Sequence, residues 1–376
     1  MYQNIKYFKG LNGLRFIAAY LVLMHHAEQI RLKYDLFSLK AFSLFNNGGL
    51  AVSFFFVLSG YLITYLLLRE VKVTQDVAVR KFYVRRMLRI WPLYYLLVVL
   101  GTLAVPLALQ IINNPYQMPY TFGEVIGYYV FFAPFMVNVL FGHHLLEPLW
   151  SIGVEEIYYI LWAPLVRFFK KNILPLIIGV IVLRLVILHL VPFLALPEYL
   201  VEAIYMLKFE AMAIGGLFAY GVFHRRTAIE ESRWFSTPVQ VGILLFILAR
   251  VFAKQFLIDW SPVFEFLFAM PILSNLLMLG AFAWLIVNVS INAKSLVKLD
   301  YPIFQFLGDI SYGIYMYHML VIFSLVLVGK EVFNSFDPAL GTLVFYLLVS
   351  AAVVLVATLS KRLFEDRFLA LKTKFR

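Results

Sequence analysis

The run LRFIAAYLVLMHH carries Arg15 and His26 with ten residues between them. In a helix, eleven steps of about 100° return to within roughly 20° of the starting face and set His26 some 16 Å further along, whereas His25 points about 80° away. One face would then present a guanidinium able to meet an anion and, deeper, an imidazole able to take and give a proton near neutrality. A snorkelling arginine and a packed histidine are the structural alternative. Ionisable groups inside an apolar stretch more often serve function, because burying them there is costly.

Other runs add to this pair. Arg86 and Arg89 in RKFYVRRMLRIWP are three apart, which on a helix sets two guanidiniums as a fork for phosphate oxygens. A basic anchor at the membrane surface is the plainer reading. In LWSIGVEEIYY, the adjacent Glu155 and Glu156 cannot share a helix face, so one should turn inward and the other to the headgroups or a neighbour. Turned inward, a carboxylate can orient or assist a histidine, with a structural ion pair as the alternative. LKFEAMAIGG puts Lys208 and Glu210 inside an expected span, and LGDISYGIYMYH puts Asp309 and His318 along another. Gly215, Gly216 and Gly313 in these runs allow close helix packing, so part of the pattern is architectural. Ser59, in FFFVLSGYLI, fits a helix–helix hydrogen bond better than a nucleophile. No Gly-x-Ser-x-Gly elbow, P-loop or His-Glu-x-x-His motif occurs, and without cysteine no thiolate metal site or disulfide framework is expected.

These residues sit in an overwhelmingly apolar chain. Of 376 residues, 63% are hydrophobic, 18% aromatic and 14% charged, which is membrane-protein usage. Apolar runs fall near 11–30, 48–69, 90–112, 124–141, 150–169, 173–193, 203–223, 238–253, 263–290, 303–328 and 339–363. Lys and Arg decide which of them cross. With the N-terminus cytoplasmic, a crossing by 124–141 would carry Arg167, Lys170 and Lys171 outside. If 124–141 instead dips in and out, or lies against the bundle, ten spans remain and most of the 32 Lys and Arg fall on the inner side. Arg31, Lys33 and Lys40 in the first outer loop break that trend.

The expectation is an all-α polytopic bundle of about ten spans with both termini cytoplasmic, one domain over 1–376 and no fused soluble domain. The first apolar run carries Arg15 and lacks a cleavage pattern, so it reads as a retained span. A net charge of +11 then reports orientation in the membrane rather than nucleic-acid binding. The stretch 113–149 has no Lys or Arg but carries Tyr116, Tyr120, Asn138, His143 and His144. It would cover the outer face, where a neutral sugar could approach.

Taken in order, LRFIAAYLVLMHH, FFFVLSGYLI, RRMLRIWP, LWSIGVEEIYY, LKFEAMAIGG and LGDISYGIYMYH resemble the membrane-bound acyltransferase 3 family, which includes O-antigen and peptidoglycan O-acetyltransferases. The six ordered motifs run across most of the chain. By this resemblance Arg15 and His26 match the family's Arg-ten-His pair, Arg86 and Arg89 its RxxR pair, and Glu155 or Glu156 its Trp-Ser-x-x-x-Glu carboxylate. Lys208 departs from the family, where Arg is more usual. The resemblance implies a bacterial inner-membrane enzyme that passes an acyl group, acetyl first, from cytoplasmic acyl-CoA to a hydroxyl of a glycan or lipid-linked saccharide, with no metal. His26 would act as base or acyl carrier. A multi-span transporter or flippase is the main rival, since intramembrane charges also line substrate pathways. It predicts two related halves, and no internal repeat is found.

Overall fold

A computed structural model describes residues 8–113, 118–269 and 271–375, so the expectation on Tyr116 lies outside the described residues. Every regular element among them is helical. After α1 (Leu11–Lys33) and α2 (Gly48–Thr74), α3 (Val79–Val99) runs through a π-helical turn at Leu100–Ala104 into α4 (Val105–Ile111). The short α5 (Phe122–Val130) and α6 (Pro134–Phe141) precede α7 (Leu149–Phe168) and α8 (Ile173–Leu190). α9 (Glu198–Met206) and α10 (Phe209–Glu230) form one unit broken at Leu207 and Lys208. α11 (Thr237–Phe252) bends by 98° into α12 (Lys254–Trp260), and α13 (Pro262–Ala269) leads to α14 (Pro271–Ile291). α15 (Pro302–Asp309), α16 (Ser311–Ser335), α17 (Pro338–Ser360) and α18 (Asp366–Leu371) follow.

Seven helical units are long and apolar enough to cross a membrane, or eight with the bent α11–α12 pair. α1 and α7, with 23 and 20 residues, have the length. Their own charges lower their hydropathy: Arg15, Glu28 and Arg31 in α1, and Glu155, Glu156 and Arg167 in α7. The two helices richest in chemistry are therefore the two that a hydropathy count misses. By length and composition the spans number seven or eight, which makes a polytopic helical bundle; the ten expected from the charge pattern would also need α1 and α7.

The stretch 124–141 is not one span. It splits into α5 and α6, of 9 and 8 residues, and at 1.5 Å per residue neither approaches the roughly 30 Å of a bilayer core. Between them Phe132 takes a left-handed backbone (φ 55°) and buries its ring against Tyr94 at 4.8 Å and Trp91 at 5.0 Å.

Two expectations need correction. The run 303–328 is interrupted: α15 ends at Asp309 and α16 begins at Ser311, so Asp309 is an exposed helix end and only His318 lies along the span. Gly308 lies so close to the Asn12 backbone that a Cβ there would collide, and the break lets α15 lean on α1. Arg31 is not a loop cation. It lies in the last turn of α1, 3% exposed, and pairs with the buried Glu28 at 2.7 Å.

Small residues set the packing of the centre. A Cβ on Gly60 would strike the Met212 backbone, and one on Gly215 would strike the Val57 carbonyl, so α2 and α10 touch main chain to main chain. Gly216 faces Thr64, whose Oγ1 accepts from Trp162 Nε1 at 3.0 Å and ties in α7. At one end of the bundle Arg167 (2.9 Å) and Lys170 (3.3 Å) clamp Asp76 in the α2–α3 turn. The Val77 amide first, and then these two cations, hold the Asp76 carboxyl below its usual range.

Candidate active site

A cavity of about 340 Å³ opens between α1, α2, α3, α7 and α16. Arg15, Arg86, Arg89, Glu155 and Ser59 line it, together with Asn12, Tyr159, Tyr312 and Tyr315. Each charged group arrives by helical spacing. Arg86 and Arg89 share one face of α3, while Arg85, one step round, bonds Glu70 at 3.3 Å and the Phe375 carbonyl at 3.1 Å. Within one basic run, anchoring thus falls to Arg85 and the fork faces the cavity.

The guanidiniums are positioned but not neutralised. Arg15 Nη1 donates to Asn12 Oδ1 at 3.2 Å, and Asn12 Nδ2 donates to Gln305 Oε1 (3.0 Å) and Asp309 Oδ1 (3.2 Å). Asp309 therefore orients Arg15 through Asn12 without touching it. Arg86 lies over the rings of Phe82 (5.6 Å) and Tyr159 (5.7 Å). None of the three makes an ion pair with a carboxylate among the described residues; the arginines that do are Arg31, Arg85, Arg167, Arg184 and Arg226. Three unpaired cations round one cavity suit a polyanion.

The adjacent glutamates part as their spacing requires. Glu155 faces the cavity and accepts from Ser59 Oγ at 2.5 Å. Glu156, 3% exposed, accepts instead from Trp91 Nε1 on α3 at 2.8 Å, and its other oxygen has no protein partner. Glu156 is therefore not brought into the cavity. Ser59 is a helix–helix hydrogen bond, but one made to the cavity carboxylate.

His26 does not line the cavity. It is 8% exposed and lies behind it, stacked on His318 with ring centroids 5.0 Å apart and Nδ1 2.9 Å from His318 Nε2. The hydrogen bonds assign the tautomers. His318 Nδ1 lies 2.5 Å from the Tyr315 carbonyl, which can only accept, so that nitrogen carries the proton. With the ring neutral, His318 Nε2 accepts and His26 Nδ1 donates. His26 Nε2 is left with a lone pair, the form needed in a base or acyl carrier. Tyr315, on the cavity wall with its ring 5.7 Å from His318, stands between cavity and histidines.

His25 faces elsewhere and is fully engaged. Its Nδ1 is 3.0 Å from the Phe45 carbonyl, and its Nε2 accepts from Gln29 at 3.1 Å. Glu210 is bound to Arg184 at 2.9 Å, and Lys208 donates to Ser53 Oγ at 3.1 Å; neither reaches the cavity. No cluster of three or more metal-ligating side chains occurs among the described residues.

A family model described as an acyltransferase domain matches residues 8–362. The chain belongs to this acyltransferase family. It is 25% identical over 382 residues to the peptidoglycan O-acetyltransferase OatA of Listeria monocytogenes, covering 96% of this chain and 55% of that protein. A Staphylococcus aureus protein with a provisional O-acetyltransferase name is 32% identical over 161 residues, covering 42% of this chain and 24% of that protein. YrhL of Bacillus subtilis, provisionally named a peptidoglycan O-acetyltransferase, is 29% identical over 168 residues, with 43% and 24% coverage. The chain thus spans about half the length of the Listeria relative. No solved structure matches it.

In this acyltransferase domain, the cavity gathers Arg15, Arg86, Arg89, Glu155 and Ser59 from four helices, with His26 and His318 directly behind. Sequence reasoning missed Asn12, Tyr159 and Tyr315. Asn12 sits one turn before Arg15, a spacing that could have exposed it; the tyrosines, among 23 in the chain, carried no comparable signal.

Proposed function

We propose that this chain transfers a short acyl group, acetyl first, from cytoplasmic acyl-CoA to a hydroxyl of a glycan or lipid-linked saccharide beyond a bacterial cytoplasmic membrane. The observation that carries this reading is one cavity holding three guanidiniums, none in an ion pair, and a single carboxylate, backed by a histidine pair whose tautomers leave a lone pair on His26 Nε2, in a member of an acyltransferase family. Arg86 and Arg89 would hold the phosphates of coenzyme A at the basic end, and the thioester arm would run inward past Ser59 and Glu155. His26 Nε2 then takes the proton of the acceptor hydroxyl as its oxygen attacks the thioester carbonyl. The C–S bond breaks and the departing thiolate recovers the proton. In the stepwise version, His26 accepts the acyl group first and water or the sugar plays no part until the second transfer; both versions use the same lone pair.

Purified protein in lipid nanodiscs, given acyl-labelled acetyl-CoA and a glycan acceptor, should release free coenzyme A in proportion to label in the glycan. Donor that is neither bound nor consumed would remove the proposal. Reporter fusions should place the C-terminus in the cytoplasm and the α6–α7 turn outside.

A further inference from the structure

The glycines of this bundle do two different things. Gly60 and Gly215 stand where an added Cβ would collide, so they serve helix packing. Gly242 in α11 and Gly280 in α14 are the opposite case: nothing lies within 4 Å of a Cβ built on either. Glycine is a poor helix former, so two that relieve no contact weaken both helices without improving their packing. What they leave is a hollow. Both line an open groove of about 660 Å³ between α10, α11 and α14, whose walls include Phe218, Ile243, Leu276 and Trp284.

The groove is held open from both ends. At one, Gln240 of α11 is 1% exposed and donates to the Phe235 (2.9 Å) and Lys294 (3.2 Å) carbonyls. Its Oε1 accepts from the Leu296 amide (2.9 Å) and from Asn288 Nδ2 of α14 (3.4 Å). This polar staple fixes the start of α11 to the end of α14. At the other end, the Phe246 ring lies 5.7 Å from that of Phe268 in α13. From Val239 to Phe246 in α11, and from Leu277 to Trp284 in α14, the lining runs seven residues, about 10 Å.

The mouth at the Gln240 end has a distinct chemistry. A single 3-10 turn, Arg233–Phe235, carries Trp234, 64% exposed, and its carbonyl accepts from Nε1 of the buried Trp284 at 3.2 Å. That bond fixes the turn over the groove. Arg233 is the one charged residue in the lining, and its guanidinium has no hydrogen bond or ion pair among the described residues. The neighbouring carboxylates do not compensate it: Glu230 takes Arg226 at 2.7 Å, and Glu231 is exposed at the end of α10, outside the groove. The staple brings the backbone of a second exposed cation, Lys294, to the same end. Tryptophan and arginine at a span end are interfacial anchors, and basic pockets between spans take anionic lipid headgroups.

We infer that this groove is a phospholipid site, in which one acyl chain lies over Gly242 and Gly280 and an anionic headgroup meets Arg233 beside Trp234. The dimensions agree, since about 10 Å is a third of the roughly 30 Å bilayer core, the depth of the headgroup-proximal part of a chain. Headgroup choice comes from Arg233, and retention of the chain from the two glycines. The site stands independently of acyl transfer.

The test is native mass spectrometry of the full chain in detergent, titrated with dioleoyl phosphatidylglycerol and, as the zwitterionic counterpart with the same chains, dioleoyl phosphatidylcholine. The anionic lipid should be retained about fivefold more tightly, the worth of one basic residue against an anionic headgroup. Arg233→Gln should erase that preference and leave the phosphatidylcholine affinity in place. Gly242→Leu, which fills the hollow where a Cβ meets no neighbour, should weaken both lipids alike while keeping the lipid-free thermal midpoint of the unsubstituted chain. Gly280→Leu closes the same groove from α14. Equal retention of the two lipids, or a preference that survives Arg233→Gln, would overturn the headgroup assignment. Undiminished binding in both leucine variants would overturn the place of the chain, as would a dimer that those variants dissociate, because the groove would then hold a second copy.

Discussion

Two groups of intramembrane charge stand on the same helix and are treated in opposite ways. Glu28, fully buried, accepts from Arg31 (2.7 Å), Tyr346 Oη (2.6 Å), Ser38 Oγ (2.8 Å) and the Leu39 amide. Arg31 also donates to Thr342 Oγ1 at 2.6 Å and lies 5.1 Å from the Phe345 ring centroid. About four turns earlier, Arg15 has one neutral side-chain acceptor and shares a cavity with two further guanidiniums. A charge-paired group holds α1 against α17, with only Arg31 Nε left without a partner. The Arg15 group waits for a ligand, because three guanidiniums share the cavity with one carboxylate, Glu155, and none is ion-paired to it among the described residues. Burial and charge alone do not separate structure from function here; the count of partners does.

That contrast can be broken by substitution. The largest effect is expected at His26: His26→Ala should keep donor binding and lose transfer by about 10²–10⁴-fold, the usual worth of general acid–base help. Measured by label transfer at matched membrane abundance, normal activity in this variant would disconnect the cavity from the histidines. Next is Glu28→Ala, which strands Arg31 and should lower stability by about 3–5 kcal/mol, read as the thermal midpoint in detergent. Glu155→Gln keeps the Ser59 bond and should move that midpoint little while slowing transfer; if the two glutamates melt the protein equally, the distinction drawn above is lost.

Arg86→Ala and Arg89→Ala should each weaken acyl-CoA binding by about 1.5–3 kcal/mol, roughly ten- to a hundredfold. Titration with a non-hydrolysable analogue checks this, and unchanged affinity in both reduces them to surface anchors. The smallest effect is at His25, whose nitrogens serve Phe45 and Gln29. His25→Ala should retain most transfer and lose stability on the scale of one or two hydrogen bonds, about 1–3 kcal/mol.

The positions that helical geometry governs were legible in the sequence. His26 rather than His25 faces the interior, Arg86 and Arg89 share a face, and Glu155 and Glu156 diverge, all from 3.6 residues per turn. The charge pattern also found that 124–141 is no simple span. Which helices are neighbours is not a local property, so the pairing of His26 with His318 and the link from Asp309 through Asn12 to Arg15 were not legible. Lys208 and Glu210 were grouped by sequence proximity, and the break after Met206 sends them to different partners. Arg31 was misassigned to a loop because a positive residue near a helix end is usually solvated, and its counter-ion lies one turn back, in α1 itself.

The contact between α2 and α10 bears on how the protein is made. Gly60 and Gly215 bring the two backbones together with all of α3 to α9 between them in the chain. A newly inserted α2 therefore exposes a glycine groove to lipid through the synthesis of seven further helices. Association of inserted helices is a separate, later stage than their insertion. Biogenesis of this bundle must accordingly leave the Gly60 face of α2 unpartnered until α10 has emerged, which makes that interval the vulnerable period for misassembly and for capture by membrane quality-control proteases.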